Sequence, residues 1–187
     1  MRKLIEKNLN GKKILILFVL TSIIYTIMLA VSIPKVMSYS NGMKILDMIP
    51  SGYDITYVNS LLNMLGEKGR SVYLFNQIPI DMFYPFFFGI TYSFIFAYFL
   101  KKINRLESKL VYFSFLPLFA GFFDYMENIG IIILLNNYPN YSELMVKTTN
   151  AFSILKSSFT TIFFISLILL LVVFGINKLG LKIKMNK

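Results

Sequence analysis

The sequence contains no cysteine, no histidine and no tryptophan. Without cysteine the chain can form neither a disulfide nor a thiolate site. Without histidine it lacks an imidazole base and the commonest nitrogen ligand for metals. Serine-nucleophile, phosphate-loop and dinucleotide-binding glycine motifs are also missing from the sequence. We therefore expect no cofactor and no resident metal, with only an all-oxygen Mg²⁺ or Ca²⁺ site left open, and the case for an enzyme is weak.

Charge is scarce as well, at 15% of 187 residues, whereas hydrophobic residues make up 56%. A soluble domain of this length lacks the interior to bury so much apolar surface. We predict an all-α, polytopic membrane protein with one domain, residues 1–187, whose main partner is the lipid bilayer. The net charge of +10 does not point to nucleic acid, because the basic residues gather at the ends of hydrophobic runs, where they meet lipid headgroups.

Four apolar runs are each long enough to cross a bilayer core of about 30 Å. The first run could instead be a cleavable signal peptide with Ala30-Val31-Ser32 as its cleavage site, but its length is more typical of a membrane anchor. Pro34 is expected to end the first helix. The predicted spans are residues 14–33, 78–100, 111–135 and 151–176.

Lysine and arginine are distributed unevenly among the segments that connect these spans. The segments 1–13, 101–109 and 177–187 hold five, four and four of them, whereas the segments 35–77 and 136–150 hold four and one. Basic residues collect on the cytoplasmic side of a membrane. We therefore predict a four-helix up-down bundle in the cell (cytoplasmic) membrane, with both termini in the cytoplasm.

The longest connection, between the first two spans, contains an amphipathic stretch at about residues 54–66. Asp54 is placed to cap a helix, and Gly66 and Gly69 are expected to stop it. Such a helix beside a membrane lies in the interface or folds over the end of the bundle; a small hairpin outside the membrane is the alternative. Its apolar residues recur at helical spacing: Ile55, Val58, Leu61, Leu62 and Leu65.

Charged side chains inside the third and fourth runs predict a polar site. At about 1.5 Å of rise per residue, Glu127 lies about 12 Å and Lys156 about 10 Å below the outer ends of their spans. Glu127 and Lys156 are therefore expected to pair, which leaves Asp124 without a countercharge. Two carboxylates spaced i, i+3 repel one another when both are ionised. A charge in this position is costly and is typical of functional sites.

The polar residues of each span share one helical face, and polar faces point away from lipid. We expect Arg70 and Tyr73 to form the entrance of the site, with Arg70 meeting Asp81. The alternative is structural: the hydroxyls tie neighbouring helices together, and Lys156 with Glu127 is a buried pair that fixes register. The candidate ligand-binding residues are Tyr25, Arg70, Tyr73, Asp81, Tyr84, Asp124, Glu127, Asn128, Lys156, Ser157 and Thr160.

Four functions use these residues differently. The first is a pocket that binds a small amphiphile or lipid. The second is a proton- or cation-coupled transporter or channel subunit, which would require a homo-oligomer because four spans enclose little space. The third is a structural partner for another membrane protein. The fourth is an enzyme that modifies a lipid, for which the Asp-x-x-Glu spacing alone is too common to be diagnostic.

Several motifs between residues 50 and 140 resemble those of a group of small four-span bacterial membrane proteins. The motifs are Gly52-Tyr53, Leu61-Leu62, Leu65-Gly66, Gly69-Arg70, Tyr73, Asp81, Pro85, Leu116-Pro117, Ala120-Gly121, Phe123-Asp124 and Glu127-Asn128. The resemblance implies a bacterial four-span protein but no activity. The site residues that it places in a common pattern are Arg70, Tyr73, Asp81, Asp124, Glu127 and Asn128.

A second resemblance concerns architecture alone. Four spans, cytoplasmic termini and intramembrane acids are similar to the emopamil-binding family of sterol isomerases and small-amine receptors. That family's aromatic and acidic pattern does not align with this chain, which has neither tryptophan nor histidine. A likeness of fold alone carries little weight for function.

Overall fold

The computed structural model describes residues 9–179, and in this range it contains helices and turns but no strand. Two π turns, Met28–Ser32 and Tyr73–Gln77, join helices end to end, and 3₁₀ turns cover Leu46–Met48 and Lys109–Phe115. We call the connection of residues 38–54 the roof loop. The helices are α1 (Gly11–Ile27), α2 (Ile33–Met37), α3 (Ile55–Val72), α4 (Ile78–Lys102), α5 (Leu116–Asn137) and α6 (Glu143–Lys178).

Four continuous helical stretches are long and apolar enough to cross a membrane, and they contain the four predicted spans. Many of their large apolar side chains point outward, for example Phe83, which is 66% exposed. Such a surface is typical of a protein that faces lipid. The terminal basic residues used to predict cytoplasmic termini, Arg2, Lys3, Lys7, Lys182, Lys184 and Lys187, lie outside the described residues. The four stretches are Gly11–Met37, Ile55–Lys102, Lys109–Asn137 and Glu143–Lys178.

The long helices pack in chain order, α1 against α4, α4 against α5, and α5 against α6. Close approach of α4 and α5 depends on Gly121, where an added Cβ would lie 2.8 Å from the carbonyl oxygen of Pro85. Helix α4 also packs directly on α6, through Phe96 and Phe163. Helices α1 and α6 make no substantial contact within residues 9–179.

Pro34 does not end the first helical stretch, contrary to the sequence prediction. The widened π turn Met28–Ser32 precedes it, and Pro34 falls in the first turn of α2. A proline is tolerated there because the first turn of a helix does not use its N–H groups. The stretch therefore runs on to Met37.

Helix α3 packs its apolar face on the protein itself. Val58, Leu61, Leu62 and Leu65 are at most 3% exposed, and they share a core cluster with roof-loop, α4 and α5 side chains such as Leu46, Ile78, Ile131 and Leu134. Asp54 caps the helix, as expected, by accepting a hydrogen bond from the Tyr57 N–H at 2.7 Å. This core holds α3 against the end of the bundle.

The predicted end of α3 is wrong in part. Gly66 breaks the regular helix, with a φ of +61° that favours glycine. The helix resumes immediately, however, and Gly69 lies inside it. Gly69 is needed for close packing, because an added Cβ would lie 2.7 Å from the Cβ of Tyr39 in the roof loop.

Helix α6 begins at Glu143, well before the predicted residue 151. Ser142 caps it by accepting a hydrogen bond from the Met145 N–H at 3.3 Å. Glu143 and Lys147 form an ion pair of 2.9 Å across the first turn. The connection predicted for residues 136–150 is therefore mostly helical, because local capping extends the helix beyond its apolar run.

Candidate functional site

Lys156 bridges the two carboxylates of α5. Its ammonium lies 3.1 Å from Asp124 Oδ1 and also pairs with Glu127, which in addition accepts a hydrogen bond from Ser153. The expected Glu127–Lys156 pair is thus present. The expectation that Asp124 lacks a countercharge is wrong, because one flexible lysine reaches between both acids.

Asn128 lies behind this cluster rather than in it. It is fully buried, and its amide donates a hydrogen bond of 3.2 Å to the main-chain carbonyl oxygen of Asp81. Asn128 therefore ties α5 to α4. Asp81 itself is buried, with only 3% of the residue exposed, and it lines a cavity among the helices.

A cavity of about 380 Å³ opens among the four long apolar stretches, on the side of the roof loop. Seven predicted site residues line it: Tyr25, Asp81, Tyr84, Asp124, Lys156, Ser157 and Thr160. Four others, Arg70, Tyr73, Glu127 and Asn128, do not line it. Each of the four stretches thus contributes part of its predicted polar face to the cavity.

Arg70 does not meet Asp81, contrary to expectation. Its guanidinium donates a hydrogen bond of 2.8 Å to the carbonyl oxygen of Leu62 and lies 4.2 Å from the centre of the Tyr138 ring. These contacts hold Arg70 at the kinked α3, with the π turn Tyr73–Gln77 between it and Asp81. Arg70 therefore stabilises the covering structure rather than the cavity.

Asp47 is a cavity residue that the sequence reasoning missed. Tyr73 donates a hydrogen bond of 2.9 Å to Asp47 Oδ1, whereas the buried Oδ2 has no hydrogen-bond partner. Burial and the nearby negative charge of Glu127 raise the pKa of Asp47 from 3.8 to about 7, against the opposing effects of Lys156 and the Tyr73 hydrogen bond. An acid within the apolar run of residues 45–49 was the available signal.

Gln77 is a second cavity residue that was missed. It is fully buried in the π turn before α4 and accepts a hydrogen bond from Ser32. Its Nε2 has no hydrogen-bond partner, and the residue lines the cavity. A buried polar atom without a partner is costly, and Gln77 holds one inside the cavity wall.

Aromatic rings form one wall of the cavity and close its far end. Tyr25 and Tyr84 stack with ring centres 5.3 Å apart, and Tyr84 contacts Phe88 at 5.6 Å. Beyond Phe88, interlocking rings fill the space between α4 and α6. We call these rings the aromatic floor: Phe88, Tyr92, Phe163 and Phe164.

The cavity combines an excess of acid with an apolar wall. Asp47, Asp81 and Asp124 line it with Lys156 as the one basic side chain among its lining residues. In the part of the chain that the structure describes, no acidic cluster has the geometry of a metal site. This arrangement suits an organic cation, which carboxylates attract and aromatic rings accommodate.

No family model, no curated protein and no solved structure matches the chain. The resemblance to four-span bacterial proteins and the architectural likeness to the emopamil-binding family therefore stay predictions.

Proposed function

We propose that this chain is a multi-pass protein of the bacterial cytoplasmic membrane that binds a small amphiphile or lipid in its cavity. The four stretches form an up-down bundle with both termini in the cytoplasm. The roof loop and α3 then cover the outer end, with α3 at the interface between lipid and water. The distribution of lysine and arginine supports this orientation.

The observation that carries the proposal is the lining of the cavity. Lys156 is shared by Asp124 and Glu127, so the carboxylate of Asp81 has no basic partner among the cavity residues. Asp47 and Gln77, each with a buried polar atom that has no hydrogen-bond partner, line the same cavity. The volume of about 380 Å³ lies within the range of small-molecule sites. The head group of an amphiphile fits both the charge and the size.

Native mass spectrometry of the protein released from a mild detergent tests the proposal. Wild-type protein is expected to carry a bound species that Asp81→Asn loses, because the substitution removes a carboxyl group from the cavity. Glu143→Gln is the matched control, since Glu143 is exposed and lies at the start of α6. Equal retention of the species by Asp81→Asn, or bare wild-type protein, would contradict the proposal.

Cation-coupled transport is a second candidate, favoured by the excess of carboxylates over lysine in the cavity. The aromatic floor opposes it, because the rings separate the cavity from the other end of the bundle. Transport therefore requires the floor to open. It predicts a cation-dependent flux in liposomes that Asp124→Asn abolishes, whereas simple binding predicts no flux in either protein.

A further inference from the structure

The exposed members of the cavity lining mark its mouth. Tyr25 of α1 and Leu29 of the following π turn are each 44% exposed, and Thr161 of α6 and Pro50 of the roof loop are exposed as well. The lining residues contributed by α5, by contrast, are buried. The mouth therefore faces sideways, between α1 and α6 and below the roof loop, with α4 and α5 as the back wall.

The packing of the helices leaves this side open. Helix α1 packs against α4, and α6 packs against α5 and α4, but α1 and α6 make no substantial contact with one another. In the proposed orientation both helices cross the bilayer, so the mouth opens toward lipid chains rather than toward water. A ligand that uses it must already be dissolved in the membrane.

The polar residues inside the cavity determine which head group the ligand can carry. Asp81 lacks a basic partner in the cavity, Asp47 Oδ2 lacks a hydrogen bond, and the fully buried Gln77 has an amide nitrogen without a partner. An ammonium head would offset the acids that line the cavity. Tyr25 at the mouth stacks on Tyr84, and both rings can contact the head or its first methylenes.

The geometry points to a single-chain cationic amphiphile of the bilayer as the ligand, an inference that rests on the proposed function. Its ammonium head enters sideways between Leu29 and Thr161 and reaches Asp81. Its alkyl chain stays in the gap between α1 and α6, because a cavity of about 380 Å³ cannot also enclose a long chain. The aromatic floor prevents the head from passing further.

The lack of tryptophan in the chain allows a direct test. A single tryptophan at Thr161→Trp reports from the mouth, and its quenching by dodecyl trimethylammonium brominated in the alkyl chain is measured in lipid nanodiscs. The matched control is Phe119→Trp, which lies on the lipid-exposed side of α5. Both positions are five residues from the Lys156–Asp124 ion pair, or about 7.5 Å along their helices.

Saturable quenching is expected at Thr161→Trp, and the unbrominated compound should reverse it. Adding Asp81→Asn should raise the half-saturating concentration by about tenfold or more. Phe119→Trp should show only non-saturating quenching, as expected for a compound dissolved in the bulk lipid. A brominated fatty acid should give non-saturating quenching at both positions, because its head group is not cationic. Leu29→Trp, across the mouth, should repeat the saturation if Thr161→Trp fails to fold.

Other outcomes overturn the inference. Non-saturating quenching at both sides of the mouth, in a protein that still retains an Asp81-dependent species, would place entry elsewhere and leave the proposed function standing. Non-saturating quenching with no retained species would refute both the sideways entry and the proposed binding function. In a third outcome, brominated bulk lipid fails to quench Thr161→Trp and the protein migrates as a dimer. This result would show that a second copy of the chain covers the mouth.

Discussion

The phenolic hydroxyl of Tyr73 donates a hydrogen bond of 2.9 Å to Asp47 Oδ1 and so fastens the roof loop to the π turn before α4. Tyr73 itself is fully buried in the core that α3 shares with α5. The cover of the cavity is therefore anchored to the rigid part of the bundle through one acid that also lines the cavity.

Removing this anchor should loosen the roof loop. Tyr73→Phe deletes one hydrogen bond to an acidic acceptor, worth about 1–2 kcal/mol. The amide of Met48, bonded to the Ile45 carbonyl oxygen, should then exchange its hydrogen about tenfold faster by mass spectrometry. Tyr112→Phe, at a tyrosine that is 65% exposed, should leave that rate unchanged. Equal rates in Tyr73→Phe and wild type would show that the hydrogen bond does not hold the loop.

Lys156 should be essential to stability because it pairs with two buried acids at once. Lys156→Met leaves Asp124 and Glu127 uncompensated and should cost about 3–5 kcal/mol. Adding Glu127→Gln should restore part of this loss, and adding Asp124→Asn as well should restore most of it. Thermal unfolding in detergent, followed by circular dichroism, measures the series. An unchanged melting temperature for Lys156→Met would refute the structural importance of the bridge.

Stability should decline as the pH rises toward 7 because of Asp47. Burial raises its pKa from 3.8 to about 7. Between these two pH values the carboxyl group has lost its proton in the unfolded chain and keeps it in the folded protein. The folded state binds more protons there, and its stability therefore falls with rising pH, with no further fall from this group above about 7.

Melting temperatures at about pH 5 and about pH 8 measure this decline. Asp47→Asn should reduce it, because the amide does not titrate. Asp54→Asn should keep the wild-type decline, since asparagine can replace Asp54 as the acceptor for the Tyr57 N–H. An equal decline in Asp47→Asn and wild type would assign the effect to another group.

The close contact of α4 and α5 should not tolerate a side chain at residue 121. Gly121→Ala places a Cβ about 2.8 Å from the Pro85 carbonyl oxygen and should destabilise the protein by about 1–3 kcal/mol. Gly175→Ala is the control, because its added Cβ meets nothing within 4 Å, and it should be neutral or slightly stabilising. A neutral Gly121→Ala would mean that the helices can separate at little cost.

Helical spacing predicted the site well where residues lie in regular helices. Glu127 and Lys156 pair as depth and period indicated, and Tyr84, Ser157 and Thr160 face the cavity. These positions follow from a fixed rise and turn per residue, which requires no knowledge of the connections between helices.

The connections were the part that sequence could not predict. Asp47 and Gln77 reach the cavity through an irregular loop and a π turn, where no period assigns a face. Arg70 was misplaced because the chain kinks at Gly66 and then continues as helix. Pro34 does not terminate the helix, because the π turn before it places the proline in a first turn, where its missing N–H is tolerated.

The aromatic floor has an electrical consequence. In the proposed orientation Phe88, Tyr92, Phe163 and Phe164 form an apolar layer between the cavity and the cytoplasmic side, and an apolar layer is a barrier to ions. A cation that settles at Asp81 stops above this layer, so binding alone carries no steady current across the membrane. Carrying one charge across the whole membrane would exchange about 2.3 kcal/mol per 100 mV, so an electrophysiological recording separates a receptor from a conductor.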